Sequence, residues 1–125
     1  MRDRRNHQTS SQRVNPERCD WFRNRYRPQR PSGSLAKLIA SDSLFQRQAL
    51  SAYSEAWALT FFLLENPARR RQLAAYLQKI SQRGATKNYS AKHRLADFQS
   101  AFGDIARVEI EFIRYMDRLQ AGSRN

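Results

Sequence analysis

Residues 50–64 read Leu50-Ser51-Ala52-Tyr53-Ser54-Glu55-Ala56-Trp57-Ala58-Leu59-Thr60-Phe61-Phe62-Leu63-Leu64, and this stretch decides the fold. Leu50, Tyr53, Trp57, Phe61 and Leu64 recur at spacings of three and four, the repeat of one face of an α-helix. Ala49, Ala52, Ala56, Phe62 and Leu63 widen that stripe, so the C-terminal half of the helix is apolar nearly all round. A helix of this kind belongs at the centre of a bundle.

Working outward, the neighbouring segments read as helices too. Upstream, Leu35, Leu38 and Ile39 form one short apolar face, which Ser41-Asp42-Ser43 interrupts. Asp42 or Ser43 suits the N-cap of the central helix, because its side-chain oxygen accepts an orphan N–H of the first turn. Downstream, Asn66-Pro67 reads as an N-cap followed by proline at the first helical position. The helix that starts there carries Leu73, Tyr76, Leu77 and Ile80 on one face and finishes at Gly84, a left-handed C-cap. Residues 85–92 are a polar connection. A short helix with Leu95, Phe98 and Phe102 in register is closed by Gly103. Asp104 caps a last helix with the stripe Ile105, Val108, Phe112, Met116 and Leu119, ending before Gly122. No window alternates apolar and polar with period two, so no sheet is expected.

The expected fold class is all-α: four to five short helices packed as a small orthogonal bundle over residues 34–121. Its expected core is Tyr53, Trp57, Phe61, Leu64, Leu73, Leu77, Phe98, Phe102, Phe112 and Met116, dominated by aromatic rings because these bury the most area. A body of that size buries about 60–65% of its unfolded surface and lies close to marginal stability.

Residues 1–33 differ in kind. The chain of 125 residues carries 23 Lys and Arg against 11 Asp and Glu, a net charge of +12. Residues 1–30 hold nine Arg (2, 4, 5, 13, 18, 23, 25, 27 and 30) against Asp3, Glu17 and Asp20, hence +6 of that excess. Val14 is their one aliphatic side chain, too little apolar area to offset the entropy of ordering. They read as a disordered basic arm, joined to the body by the linker-like Pro28-Gln29-Arg30-Pro31-Ser32-Gly33-Ser34.

Composition excludes several classes of function. The longest apolar run, residues 56–64, is interrupted by Thr60 and is about half the roughly 18 residues a membrane helix needs. No hydrophobic segment follows Met1-Arg2-Asp3-Arg4-Arg5, so no signal peptide is read and the chain as it stands is expected in the cytoplasm. Cys19 is the one cysteine, which leaves no internal disulfide and no Cys-based zinc site; it reads as an inert exposed thiol, its pKa lowered somewhat by Arg18. His7 and His93 are far apart and neither begins an H-E-x-x-H helix. Phosphate-loop, G-x-S-x-G and dinucleotide-binding glycine motifs are missing. No catalytic residue, metal ligand or cofactor is assigned. Glu55 lies beside the Tyr53/Trp57 stripe; burial would raise its pKa and demand a partner, so it is read as facing solvent or pairing with an Arg.

Two basic clusters are candidates for binding anions or nucleic acid. In Trp21-Phe22-Arg23-Asn24-Arg25-Tyr26-Arg27, and on to Arg30, guanidinium forks suit phosphates while Trp21 and Tyr26 suit stacking on unpaired bases. Arg69, Arg70 and Arg71 oppose the dipole at a helix N-terminus, where three cations and free N–H groups form an anion site. The plainer reading of the triplet is a solvated face, or pairing with acidic residues of another chain.

The residues also carry a resemblance. Tyr53-Ser54-Glu55-Ala56-Trp57-Ala58-Leu59-Thr60-Phe61-Phe62-Leu63-Leu64 resembles the Y-x-x-S/A-W-A-L-v-h-F-L-L helix of a bacterial family catalogued as domain of unknown function 1570, which looks like the peptidase-MA type of gluzincin metallopeptidase. The segment 34–45, the helix with Leu73-Ala74-Ala75-Tyr76-Leu77, the turn Phe98-Gln99-Ser100-Ala101-Phe102-Gly103-Asp104 and the closing helix from Glu109 to Leu119 are similar to that family's pattern. The resemblance thus spans roughly residues 15–120. It implies that the family's H-E-x-x-H helix and third zinc ligand lie upstream of everything in this chain, so none is carried onto a position here. The expected function is a non-catalytic helical module, a truncated relative of a zinc metallopeptidase, whose outer face packs on a catalytic half. The alternatives are a nucleic-acid-binding protein working through the arm and the C-terminal half of a split peptidase. The corresponding partners are a missing or separately encoded N-terminal half, or a weakly bound polyanion.

Overall fold

A computed structural model describes residues 16–83 and 89–123, with side chains over 17–83 and 89–118. Among the described residues the chain forms seven α-helices and no strand. They are α1 (Pro16–Trp21), α2 (Ser34–Ala40), α3 (Ser43–Arg47), α4 (Ala49–Glu65), α5 (Pro67–Arg83), α6 (Ala91–Phe102) and α7 (Ile105–Ser123). The all-α expectation holds, with more helices than the four or five short ones read from periodicity, three of them of 17–19 residues.

Most punctuation acts as its chemistry dictates. Asn66 Oδ1 accepts from the Arg69 N–H at 3.0 Å, capping α5 directly before Pro67. Ser90 Oγ caps α6 by accepting from the His93 N–H. Gly103 ends α6 at φ +98°, a backbone that disfavours any side chain, and Asp104 Oδ2 accepts from the Arg107 N–H to start α7. Two expectations are corrected. The N-cap expected at Asp42 or Ser43 does not lead straight into the long helix: α3 stops at Arg47, and α4 begins only after Gln48 adopts φ −138°, ψ 65°. There Ser41 Oγ, not Asp42, accepts the Ser43 N–H. α7 also continues through Gly122 rather than ending before it. Gly84, expected to close α5, lies outside the described residues.

The largest correction concerns the arm. Residues 1–15 lie outside the described residues, but α1 runs into a π-helical turn (Phe22–Tyr26) and a 3-10 turn (Arg27–Gln29), and this segment packs on α4. Cys19, Phe22 and Tyr26, spaced three and four apart, are all buried. Phe22 lies 5.7 Å from Tyr26 and 6.3 Å from Phe112, ring centre to ring centre. The absence of aliphatic residues was a poor guide, because two rings and a thiol bury enough area to fix the segment. The boundary expected at 33/34 therefore does not separate arm from body: residues 19–26 belong to the same core.

α4 runs through the centre and packs against α1 and the π-helical turn, α2, α3, α5 and α7. Phe98, Phe102, Phe112 and Met116 are buried as expected, together with Val108, Leu35 and Leu38. Phe62 packs on Phe112 at 5.7 Å, and Phe98 on Phe102 at 4.7 Å. Of the α4 residues expected in the core, Trp57 and Phe61 pack against it, Phe61 lying 6.3 Å from the Tyr115 ring, whereas Tyr53 and Leu64 are exposed. Leu50, Tyr53 and Leu64 are 71%, 59% and 42% exposed, and Trp57 and Phe61 are half-buried. The core face of α4 is instead Ala52, Glu55, Ala58, Leu59 and Phe62, about half a turn round the helix. On α5, Leu73 is half-buried and packs against the core, whereas Leu77 is exposed. No helix among the described residues is long and apolar enough to cross a membrane.

Candidate functional site

The centre of α4 holds a carboxylate with no access to water. Glu55 is 0% exposed and pairs bidentately with Arg30: Nε donates to Oε1 at 2.9 Å and Nη2 to Oε2 at 2.7 Å. Arg30 Nη2 also donates to Glu109 Oε2 of α7 at 2.7 Å. Ser34 Oγ and the Tyr26 hydroxyl donate to Glu55 Oε1, and the Leu35 N–H reaches Glu109. The Arg30 guanidinium sits 5.8 Å from the Phe112 ring centre. Burial works against its charge, yet the hydrogen bonds and charges of Glu55 and then Glu109 hold its pKa above the ordinary value. Burial, then the Glu55 hydrogen bond, pushes the Tyr26 hydroxyl well above the ordinary tyrosine range. This knot joins the N-terminal segment, α2, α4 and α7. Of the two readings of Glu55, pairing with an Arg is the one realised.

A second buried carboxylate, Asp97 on α6, ties down α5 and Tyr89. Arg83 Nε lies 2.7 Å from Oδ2, Lys79 Nζ 3.6 Å from Oδ1, and the Tyr89 hydroxyl donates to Oδ2 at 2.9 Å. Burial alone would raise the Asp97 pKa, but the Tyr89 hydrogen bond and the Arg83 and Lys79 charges outweigh it and hold the carboxyl below its ordinary value. Tyr89 itself is pushed up to about 12 by burial and by Asp97.

The residues expected to contact anions are largely engaged within the chain. Arg23 pairs with Asp20 at 2.9 Å, and Arg27 donates two bonds of 3.0 Å to Asp117. Arg30 and Tyr26 belong to the buried knot, and Trp21 is half-buried. Arg25 is exposed. In the triplet, Arg69 donates to Glu111 at 2.6 Å and to the Phe102 carbonyl at 2.9 Å, so its acidic partner lies in the same chain. Arg70 and Arg71 are exposed. Cys19 is buried rather than exposed; burial raises its pKa, Arg23 opposes that shift and Asp20 adds to it.

The zinc of the metallopeptidases that the resemblance points to does not fit the described residues. Among the described residues no group of three His, Cys, Asp or Glu is placed to hold a metal ion. Both Glu55 oxygens are already bonded to Arg30, and the His93 ring nitrogen Nδ1 faces Ser90 Oγ at 3.1 Å.

What remains outward is the two ends of the stripe, Leu50 with Tyr53 and Leu64, while Trp57 and Phe61 between them are half-buried against the core. Leu50, Tyr53, Trp57, Phe61 and Leu64 run along one face of α4 for about 21 Å at 1.5 Å per residue. Tyr53 packs edge-on to Phe45 at 5.0 Å, and Trp57 stacks on Phe61 at 5.8 Å with planes 14° apart, so the rings are held in fixed positions. Beside its N-terminal end is a cavity of about 310 Å³ lined by Glu17, Arg18, Trp21, Leu50, Tyr53 and Ser54. Among the described residues the buried Ser54 Oγ has no hydrogen-bond partner. Periodicity located this stripe, but only its middle, Trp57 and Phe61, packs on the core, and the most buried face of the helix lies on the other side. Glu55 was the available signal, because an isolated carboxylate on the true inward face pointed to a buried pair.

No curated protein and no solved structure matches the chain. A family model does match, over residues 2–87, from ahead of α1 to beyond the end of α5. The similarity noted in the Phe98–Asp104 turn and the closing helix lies outside that span. The matched span includes the segment first read as an arm, in keeping with its place in the core. With more than half its length matched, the chain belongs to the family described as Protein of unknown function (DUF1570).

Proposed function

We propose that this chain is a non-catalytic helical module, a relative of gluzincin metallopeptidases without their metal site, which works by presenting a surface to another polypeptide. The observation that carries this reading is the apolar stripe on the outward face of α4, with Leu50 and Tyr53 more than half exposed. Leu50 and Tyr53 lie side by side at one end of that face, and grouped exposed apolar side chains mark places where another molecule docks. The inward face supports the same reading from the opposite side. Glu55 and Asp97 each have their oxygens bonded to cations and hydroxyls of their own chain, so neither is free to act as a base or a ligand. These ion pairs hold α4 firmly in place, which keeps the stripe in one orientation.

The test is a metal assay and a peptidase assay of the purified full chain after incubation with zinc. The expected result is no stoichiometric zinc and no hydrolysis of an unfolded protein substrate. Zinc bound at one equivalent, or hydrolysis that a chelator abolishes, would overturn the reading.

A further inference from the structure

We propose that the cleft between α1 and the N-terminal end of α4 receives a cationic side chain, lysine or arginine, from the polypeptide that docks there. The inference rests on the reading of this end of α4 as a docking surface and adds the chemistry of what enters it. The cleft holds about 310 Å³, at the small end of ligand sites but ample for one extended side chain. α1 supplies Glu17, Arg18 and Trp21, with Glu17 and Trp21 one turn apart on the same face. α4 supplies Leu50, Tyr53 and Ser54, again at spacings of three and four.

Three features of this lining have no use inside the chain. The first is Glu17. The sequence holds 23 Lys and Arg against 11 Asp and Glu, so carboxylates are outnumbered by cations. Each other described carboxylate is engaged: Asp104 caps α7, Glu65 has an interaction within the chain, and the rest pair with Lys or Arg. Glu17 is exposed and has no such partner among the described residues. Arg18 does not serve it, since successive side chains on a helix do not face each other and Arg18 has an interaction of its own in the chain. The second is Ser54, nine-tenths buried, whose Oγ finds no hydrogen bond among the described residues. A buried hydroxyl left unpaired costs stability, and a donor entering the cleft satisfies it. The third is the pair of rings, Trp21 and Tyr53, one from each helix, which attract a cation and, with Leu50, cover the methylene stem that carries it. A cation on an apolar stem answers all three features. A neutral apolar group leaves Glu17 and Ser54 unmet, and an anion is repelled by Glu17. The net charge of +12 repels cations at a distance, but salt near 0.1 M screens that repulsion beyond about 8–10 Å, so the contacts of the cleft decide.

Two-dimensional NMR of the full chain reads the site through its indole N–H signals: Trp21 lines the cleft, and Trp57, the other tryptophan, is the internal control. The probes are end-blocked pentapeptides of glycine with lysine, arginine, norleucine or glutamate at the centre. The lysine and arginine peptides are expected to move Trp21 and not Trp57, saturating in the millimolar range that a single side chain supports. The norleucine peptide, which keeps the stem and lacks the charge, binds about fivefold more weakly. Glu17→Gln, an exposed substitution that leaves the fold intact, weakens the lysine peptide about threefold and leaves the norleucine peptide within about twofold. Ser54→Ala separates binding from folding. It removes a hydroxyl that is unsatisfied in the free chain, so the circular-dichroism melt does not fall, yet the lysine peptide binds about threefold more weakly. No movement of Trp21 in the full chain overturns the proposal, whether nothing enters the cleft or the chain's own residues 1–15 fill it. Equal binding of the lysine and norleucine peptides overturns it and leaves an apolar docking site, and preference for the glutamate peptide overturns it in favour of Arg18. Zinc-dependent hydrolysis by the full chain would instead remove the docking reading itself, whatever the peptides do.

Discussion

At the middle of α4 the inward face carries a carboxylate, Glu55, and two residues on the outward face carries an indole, Trp57. A helix sorted by solvent alone would place them the other way round. The difference lies in what each side meets. Inside, Arg30 from one segment, Tyr26 and Ser34 from beside it, and Glu109 across the bundle compose a polar site in which each neighbour satisfies another. Outside, Leu50, Tyr53 and Leu64 stay exposed among the described residues, Tyr53 touching only the edge of α3 through Phe45. A buried ion pair is weak evidence of net stability, because desolvating two charges offsets most of their attraction. It is stronger evidence of specificity, since only one rotation of α4 brings Glu55 to Arg30. The stripe faces outward because that rotation is fixed.

The comparison breaks most visibly if the inner knot is opened. Arg30→Ala leaves Glu55 and Glu109 as neighbouring carboxylates without their cation, a defect worth about 3–5 kcal/mol. The expected outcome is a melting temperature about 10 °C lower or more, measured by circular dichroism at pH 7. A change under about 2 °C would mean that residues 16–30 act as a detached arm after all.

Asp97 gives a smaller effect with a pH signature. Its folded pKa lies below the ordinary aspartate value, so it contributes stability that is complete above the unfolded pKa, near 3.9, and is lost as pH falls through the folded one. Asp97→Asn removes that contribution and weakens the bonds to Arg83 and Tyr89, at a cost of about 1–3 kcal/mol near neutrality. The gap in melting temperature between the two chains narrows as pH falls below about 4. A gap that stayed constant down to pH 2.5 would show that the charge of Asp97 contributes nothing.

Much of this architecture is legible in the sequence because its signals are local. Asn66-Pro67, Gly103-Asp104 and the spacing of Phe98, Phe102, Phe112 and Met116 need only short-range chemistry, and they act as read. The N-terminal segment is not legible in that way. Cys19, Phe22 and Tyr26 are spaced as a helix face but sit among arginines, and composition over thirty residues outweighs three buried positions in any reading by averages. The side of α4 that faces inward is decided by a contact between residues 30 and 55, across a distance in sequence that periodicity does not see. A stripe found by spacing alone has no sign: it can face a core or a partner with the same pattern.

The smallest effect is the one that assigns that sign. On the stripe, Leu50→Ser removes an apolar group that is 71% exposed, so it changes the stability of the chain by no more than about 0.5 kcal/mol. On the opposite face Phe62→Ala empties a buried site between α4 and α7 and costs about 3–5 kcal/mol. Urea denaturation at about 1 µM keeps any association out of the measurement. If Leu50→Ser cost as much as Phe62→Ala under those conditions, the stripe would be covered within the monomer, and its residues would be core in the sense their periodicity first suggests. A small loss at 1 µM that grows with protein concentration points the other way. Stability linked to concentration through Leu50 can only come from another molecule contacting it, because mass action stabilises a folded state only through what binds it.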